Sequence, residues 1–291
     1  MINQEVRSKI KRLKIYTRRL MQSSLAGDYS SAFKGSGLEF DQLREYQYGD
    51  DVRFIDWNSS AKMNKIMIKQ FVEERDRTII LAIDVSASSF YSSQKELRQE
   101  LIAQIAAALS FVASENKDKV GALFFSDGVE QWIAPARGNV HVGRILEAIF
   151  SLRPQSKKTN LAEALRFLVS LKKRNAVVFM ISDWIGVADE YTKLLKVASC
   201  EYDFVGMRVL DHVEHRMPNV GIIEVIDPET GNVYALNTAR ANTVNTFLQL
   251  RMIEQRRVFE KYKIDLLDLV VGQPFIHQLI TFFHQRIRRQ I

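Results

Sequence analysis

The hydrophobic rhythm of the chain changes twice along its length. Val6, Ile10, Leu13 and Leu20 recur at helical spacing with bases on the other faces, which predicts an amphipathic basic helix ending near Gly27. Residues 28–75 are different: they are rich in Gly, Asp and aromatics and carry short alternations such as Ile66, Ile68 and Phe71. That pattern predicts short strands and loops. From Arg77 onward, short apolar runs alternate with helical periodicity. The runs 78–83, 120–125 and 176–181 read as strands buried on both faces. Leu97, Leu101, Ile105, Leu109 and Val112 mark a helix between the first two. Further helices are expected at 140–152, 160–173, 188–199, 242–262 and 275–288, and further strands at 203–210 and 264–271. Asp127-Gly128 and Asp227-Pro-Glu-Thr-Gly231 each read as the turn of a hairpin.

Strands alternating with helices define an α/β fold with a mostly parallel sheet and helices on both faces. The expected division is 1–75, a basic helix with a small β-rich subdomain that the hairpin 222–236 extends, and 76–291, the α/β domain. In such sheets a ligand site lies at the carboxyl ends of the strands.

Charge narrows the functional classes. The chain has 291 residues and a net charge of +7. Residues 1–20 hold seven bases against Glu5 alone, a surplus of +6, so the remainder is near neutral. A basic face on the folded domain, which nucleic-acid binding requires, is therefore not expected. The basic helix is read as packing on its own domain with a solvated basic side; a peripheral membrane protein held by that helix is the alternative. The lone Cys200 excludes an internal disulfide and a cysteine-rich zinc site, and its place before a strand reads as a small core residue. No apolar run reaches the ~18–20 residues of a membrane span, and the N-terminus lacks a signal-peptide core. The cytoplasm is the expected compartment.

The candidate chemistry sits at strand ends. Strand 78–83 runs into Asp84-Val-Ser86-Ala-Ser88, whose alternate residues point the same way and offer one carboxylate and two hydroxyls. Thr159 precedes a helix, and strand 176–181 ends in Ser182-Asp183. Oxygens from three loops can thus surround one hard cation, Mg2+ or Mn2+, with a coordination position left for an outside carboxylate.

Asp84-x-Ser86-x-Ser88, then Thr159, then Asp183, resembles the metal-ion-dependent adhesion site of von Willebrand factor A domains, in a Rossmann-like fold. That resemblance implies metal-mediated binding of a partner's acidic side chain and no bond-breaking chemistry. Lys34-Gly-Ser-Gly-Leu-Glu-Phe40, Leu43-Arg-Glu-Tyr46, Gly49-Asp-Asp-Val-Arg53, Ile55-Asp-Trp57, Ala61-Lys62 and Phe71–Arg75 resemble the signature of the bacterial domain of unknown function 58 family. Members are often encoded beside MoxR-type AAA ATPases, which implies an adaptor or chaperone-like role toward such an ATPase. Lys157 and Lys158 stand where related domains carry small residues. They oppose a cation if they point inward and attract a partner's acid if they point outward.

Other signals are set aside. Tyr48-Gly49-Asp50-Asp51 imitates a polymerase motif, and Ser59-x-x-Lys62 a β-lactamase one, but neither has its companions. Lys34-Gly35-Ser36-Gly37 lacks the spacing of a phosphate loop. His212 and His215, beside Asp211 and Glu214, read as a polar loop, and His277 and His284 as helix-surface or packing residues. Glu39, Glu45, Asp50, Asp51 and Asp56 alternate with Arg44 and Arg53, which predicts ion pairs tying the small subdomain to the core. The chain is expected to be a binding protein and not an enzyme. The rival reading is a metal-dependent hydrolase using Asp84 and Asp183.

Overall fold

The computed structural model describes residues 8, 10–13, 29, 31–33, 38–73, 77–93, 97–173, 176–185 and 188–290. Residues 10–13 are helical, and the rest of the expected basic helix lies outside the described residues. Contacts divide the chain into Phe33–Asp76 and a larger unit of Met1–Ala32 with Arg77–Ile291. Tyr29 thus falls in the large unit, where a division at 75/76 was expected. Its contacts account for this: it is buried, donates to Asp118 Oδ2 at 3.1 Å and sets its ring edge-on to Phe283.

In the small unit, β1 (Leu38–Glu45) pairs antiparallel with β2 (Met67–Glu73), with a slip in register between Phe40 and Gln42. A 3-10 turn at Val52–Phe54 and the helix α1 (Trp57–Met63) connect them. Asp56 caps α1 by accepting from the Ser59 amide at 3.0 Å, and Asn64 ends it in the left-handed region. The charged pairs Arg44–Asp50, Arg53–Asp51, Lys65–Glu45 and Lys69–Asp56 all close within this unit. They brace its own turns, whereas ties to the core were expected. Tyr48, of the polymerase-like tetrapeptide, is fully exposed, and Asp50 and Asp51 each belong to an arginine.

The large unit is built on a six-stranded sheet. In chain order its strands are β3 (Thr78–Asp84), β4 (Lys119–Phe125), β5 (Val129–Ala136), β6 (Val177–Ser182), β7 (Asp203–Leu210) and, after the hairpin strands β8 (Ile222–Ile226) and β9 (Val233–Asn237), β10 (Asp265–Val270). The spatial order is β10-β7-β6-β3-β4-β5. Every pairing is parallel except β4 with the edge strand β5, turned by Asp127-Gly128. The hairpin β8–β9 forms as expected, but it is a separate two-stranded sheet within the large unit and does not extend the small one.

The central strands are buried on both faces because helices cover both. These are α2 (Arg98–Glu115), α3 (Asn139–Ser151), α4 (Leu161–Ser170), α5 (Ala188–Glu201), α6 (Ala241–Lys261) and α7 (Phe275–Gln290). Ile80, Ala82, Leu123, Phe125, Val178 and Met180 pack on one side with Leu161, Leu165 and Leu168 of α4, Tyr191 and Leu195 of α5 and Phe259 of α6. Ile79, Leu81, Ile83, Phe124, Phe179 and Ile181 alternate to the other side and are equally buried. This doubly covered, mostly parallel sheet is the von Willebrand factor A-like architecture. Among the described residues no helix is long and apolar enough to cross a membrane.

One core expectation fails. Cys200 is exposed, because α5 runs on to Glu201 and buries Tyr191, Leu195 and Ala198 on its opposite face. His212 and His215 lie in a one-turn helix whose neighbouring acids are engaged elsewhere: Asp211 and Glu214 form a reciprocal capping box.

Candidate metal centre

Strands β3 and β6 are neighbours, with Ile83 opposite Ile181, so their carboxyl ends lie side by side. Asp84 closes the first and Asp183 follows the second. Both carboxylates are buried, at 2% and 5% exposure. The Ser182 hydroxyl donates to Asp84 Oδ2 at 2.7 Å, binding the two strand ends together.

The loop after β3 is wound around Asp84. Its Oδ1 accepts from the Ser86 amide at 2.9 Å, and its backbone carbonyl accepts from the Ser89 hydroxyl at 3.0 Å. A 3-10 turn at Ala87–Phe90 then folds the chain back, bringing the Ser86 and Ser88 hydroxyls to 3.2 Å of each other. The Ala87 amide donates to the Lys157 carbonyl at 3.1 Å, and the Asn160 amide to the Ser126 carbonyl at 2.8 Å, so the segment carrying Thr159 runs beside this loop. Asn160 caps α4 through the Glu163 amide at 3.1 Å. Lys157 and Lys158 are both exposed.

Asp183 is aimed by its successor. Trp184 takes a left-handed φ of 57°, which is costly for a bulky residue, about 1–3 kcal/mol. Packing holds it there. Its ring is buried edge-on to Phe259 at 4.8 Å and meets Tyr191 and Phe204, and its carbonyl accepts from Gln255 at 2.7 Å. The resulting turn lets Asp183 Oδ1 accept from the Ile185 amide at 2.9 Å.

Sequence reasoning missed two side chains here. Arg98, the first residue of α2, is 3% exposed and donates to Asp183 Oδ2 at 2.9 Å and to Glu214 Oε2 at 2.5 Å. A helix N-terminus disfavours a cation, and burial works against its charge as well; Glu214 and Asp183 outweigh both and hold its pKa above the ordinary value. Glu229, in the β8–β9 turn, is the other. Burial, followed by the nearby Asp183 charge among others, raises its carboxyl from the usual range, against the lowering influence of Thr159. A further acid, Asp211, follows β7 and anchors the loop after the 3-10 turn, accepting from the Ser92 hydroxyl at 2.9 Å and the Ser93 amide at 2.8 Å.

The electrostatic balance tests whether a cation fits. Asp84 and Asp183 are buried side by side, and the Arg98 guanidinium is shared between Asp183 and the half-buried Glu214, which leaves an excess of negative charge. Burial, then the Asp183 charge, push Asp84 up to about 7 against the Ser86 and Ser182 hydrogen bonds. A hard divalent ion offsets that excess and accepts this kind of donor, carboxylate and hydroxyl oxygen. Among the described residues no three His, Cys, Asp or Glu side chains form a metal-holding group, so the fit rests on two carboxylates supplemented by hydroxyls.

Fold and strand-end chemistry together define a von Willebrand factor A-like protein with a candidate oxygen-ligand cation site. The chain belongs to the family described as "Protein of unknown function DUF58", whose model matches residues 42–257. It is 25% identical over 284 residues to an uncharacterized protein of Mycobacterium tuberculosis, covering 96% of this chain and 89% of that one. An aerotolerance-related membrane protein from Bacteroides fragilis is similar at 14% identity and a TM-score of 0.48, over 73% of this chain and 99% of the other. The VWA domain of SpRpn10 is similar at 13% identity and a TM-score of 0.42, over 71% and 94%. The assignment of the fold rests on the strand order of this chain.

Proposed function

We propose that this protein is a metal-dependent protein-binding module of the cytoplasm. It holds Mg2+ or Mn2+ through Asp84, Ser86, Ser88, Thr159 and Asp183 and recognises an acidic side chain on its partner. The observation that carries this reading is the buried pair Asp84 and Asp183 at adjacent strand ends, next to the touching hydroxyls of Ser86 and Ser88. The ion supplies positive charge and a coordination position. The chain's own residues fix the loop, orient the donors and keep the carboxylates out of bulk water. Both oxygens of Asp84 are engaged in holding the loop and the next strand, which suits a fixed binding face better than a proton-transferring acid or base. The partner that fits the family resemblance is a MoxR-type AAA ATPase, with this chain as its adaptor.

Calorimetry on chelator-stripped protein is expected to show one magnesium or manganese site that Asp84→Ala abolishes. Equal binding by the variant overturns the site. Metal-dependent hydrolysis of a phosphoester or peptide, lost in Asp183→Ala, would replace the binding module with a hydrolase.

A further inference from the structure

A cavity lies between α6 and the paired strands β7 and β10. Asn245, Gln249, Met252 and Arg256 of α6, with Thr246 and Ile253 beside them, recur at three- and four-residue steps and so share one face of the helix. They border a space of about 640 Å³, within the range of small-molecule sites. The remaining wall is made by Arg208 of β7, its cross-strand neighbour Asp268 of β10, and Arg216, which follows the one-turn helix His212–His215.

Charge is unevenly matched around this cavity. Arg208 is buried and donates through Nε to Asp268 Oδ1 at 2.8 Å and through Nη2 to Asp268 Oδ2 at 3.0 Å. That bidentate pair already satisfies the carboxylate in charge and geometry. Arg208 Nη1 donates to Gln255 Oε1 at 2.5 Å and to the Met252 carbonyl at 3.3 Å, which fixes Arg208 as the floor of the cavity. Arg256 nevertheless brings a second guanidinium to Asp268 Oδ2, and Arg216 brings a third to the lining. Three guanidiniums against one carboxylate leave two positive charges around one space. The third is held in place by its successor: Asn245 Oδ1 accepts from the Met217 amide at 2.7 Å, and Asn245 Nδ2 donates to the Met217 carbonyl at 3.1 Å. Gathered like charges repel, and an anion in the cavity relieves that repulsion.

We propose that this cavity binds a phosphorylated small molecule, with its phosphate held by Arg216 and Arg256 and its organic part resting on Met252 and Ile253. A phosphate monoester carries about −1.5 to −2 charge at neutral pH, which matches the two uncompensated positive charges; a monocarboxylate leaves one of them unmatched. Guanidinium forks fit phosphate oxygens in pairs. Arg216 and Arg256 both reach solvent, so they can turn onto a ligand while Arg208 keeps Asp268. The space exceeds what a phosphate group alone fills, and the half-buried Met252 and exposed Ile253 offer apolar contact to the rest of the molecule. None of these residues is a proposed metal ligand, so the inference is independent of the strand-end centre.

Calorimetry on the full chain with phenyl phosphate, inorganic phosphate and benzoate tests this. Phenyl phosphate joins the dianion to an apolar body and is expected to bind most tightly, with benzoate weakest. Arg216→Ala and Arg256→Gln are each expected to weaken phenyl phosphate on the order of tenfold, the effect of losing one charge-assisted contact. Both residues are exposed, and an unchanged circular dichroism spectrum verifies the fold of each variant. Arg257→Gln removes an exposed base of the same helix that does not line the cavity and should leave affinity unchanged. Absence of phenyl phosphate binding to wild type, wild-type affinity in the Arg216 and Arg256 variants, or an equal loss in Arg257→Gln overturns the site. Benzoate binding as tightly as phenyl phosphate overturns the phosphate assignment, and inorganic phosphate doing so overturns the apolar contact.

Discussion

Arg98 decides how much charge the strand ends leave for a cation. Its guanidinium is buried between Asp183 and Glu214, so a metal at this centre shares Asp183 with a permanent positive group. Removing one partner of a buried pair costs about 3–5 kcal/mol, because the other charge is stranded. Arg98→Met is therefore expected to lower the melting temperature in chelator. The variant also leaves Asp183 and Glu214 unneutralised, so magnesium should raise its melting temperature by more than it raises that of wild type. Equal magnesium shifts in the two proteins would show that Arg98 and the ion do not compete for Asp183. Arg98 was invisible in the sequence because both its acids are remote, at separations of 85 and 116 residues. Asp84, Ser86 and Ser88 were legible because their spacing is local: an extended loop sends alternate side chains one way.

The strands and helices that carry these residues were mostly legible, and the exceptions have physical causes. Runs buried on both faces announce central strands, and each was found within a residue or two of its expected bounds, as at Val177–Ser182 and Asp203–Leu210. Cys200 was misplaced because a helix end and a strand start are hard to separate by apolar content, and its exposure follows from which face of α5 it occupies. Trp184 was passed over because a left-handed tryptophan is an override of local preference by packing, visible only once Phe259, Tyr191 and Phe204 surround it. The same Phe259 sets the distance of α6 from the sheet. A Cβ built on Gly206 of β7 would lie 2.5 Å from its ring. Gly206→Ala is expected to cost about 1–3 kcal/mol by overpacking, seen as a lower denaturant midpoint. Because the displaced ring supports Trp184, the variant should also weaken magnesium binding. Loss of stability with unchanged magnesium affinity would separate the aromatic cluster from the aim of Asp183.

Across the whole molecule, charge is distributed so that the candidate centre has its own local field. The surplus of +6 in residues 1–20 leaves the remaining chain near neutral, so long-range attraction of an acidic partner to this face must come from side chains placed beside it. Lys157 and Lys158 are placed there: they precede Thr159, they are exposed, and the Lys157 carbonyl is bonded to the Ala87 amide of the adjoining loop. Exposure removes the concern that they occupy the cation's position, since their ammonium groups reach water. Rim charges of this kind change association rates more than dissociation rates. Lys157→Glu with Lys158→Glu should therefore slow association with the proposed ATPase on the order of tenfold at low salt, and the deficit should shrink as the screening length falls to about 8 Å at physiological ionic strength. The dissociation rate should change little, because neither lysine is among the proposed ligands. Ser86→Ala should do the opposite, raising dissociation and leaving association nearly intact, as expected when a metal donor is removed from a surface loop without loss of core volume. Stopped-flow or surface-binding kinetics over a salt series separates the two effects. A charge-reversed pair that associates at the wild-type rate at every salt concentration would show that the partner does not approach over this face, and the small unit Phe33–Asp76 would then be the surface to vary.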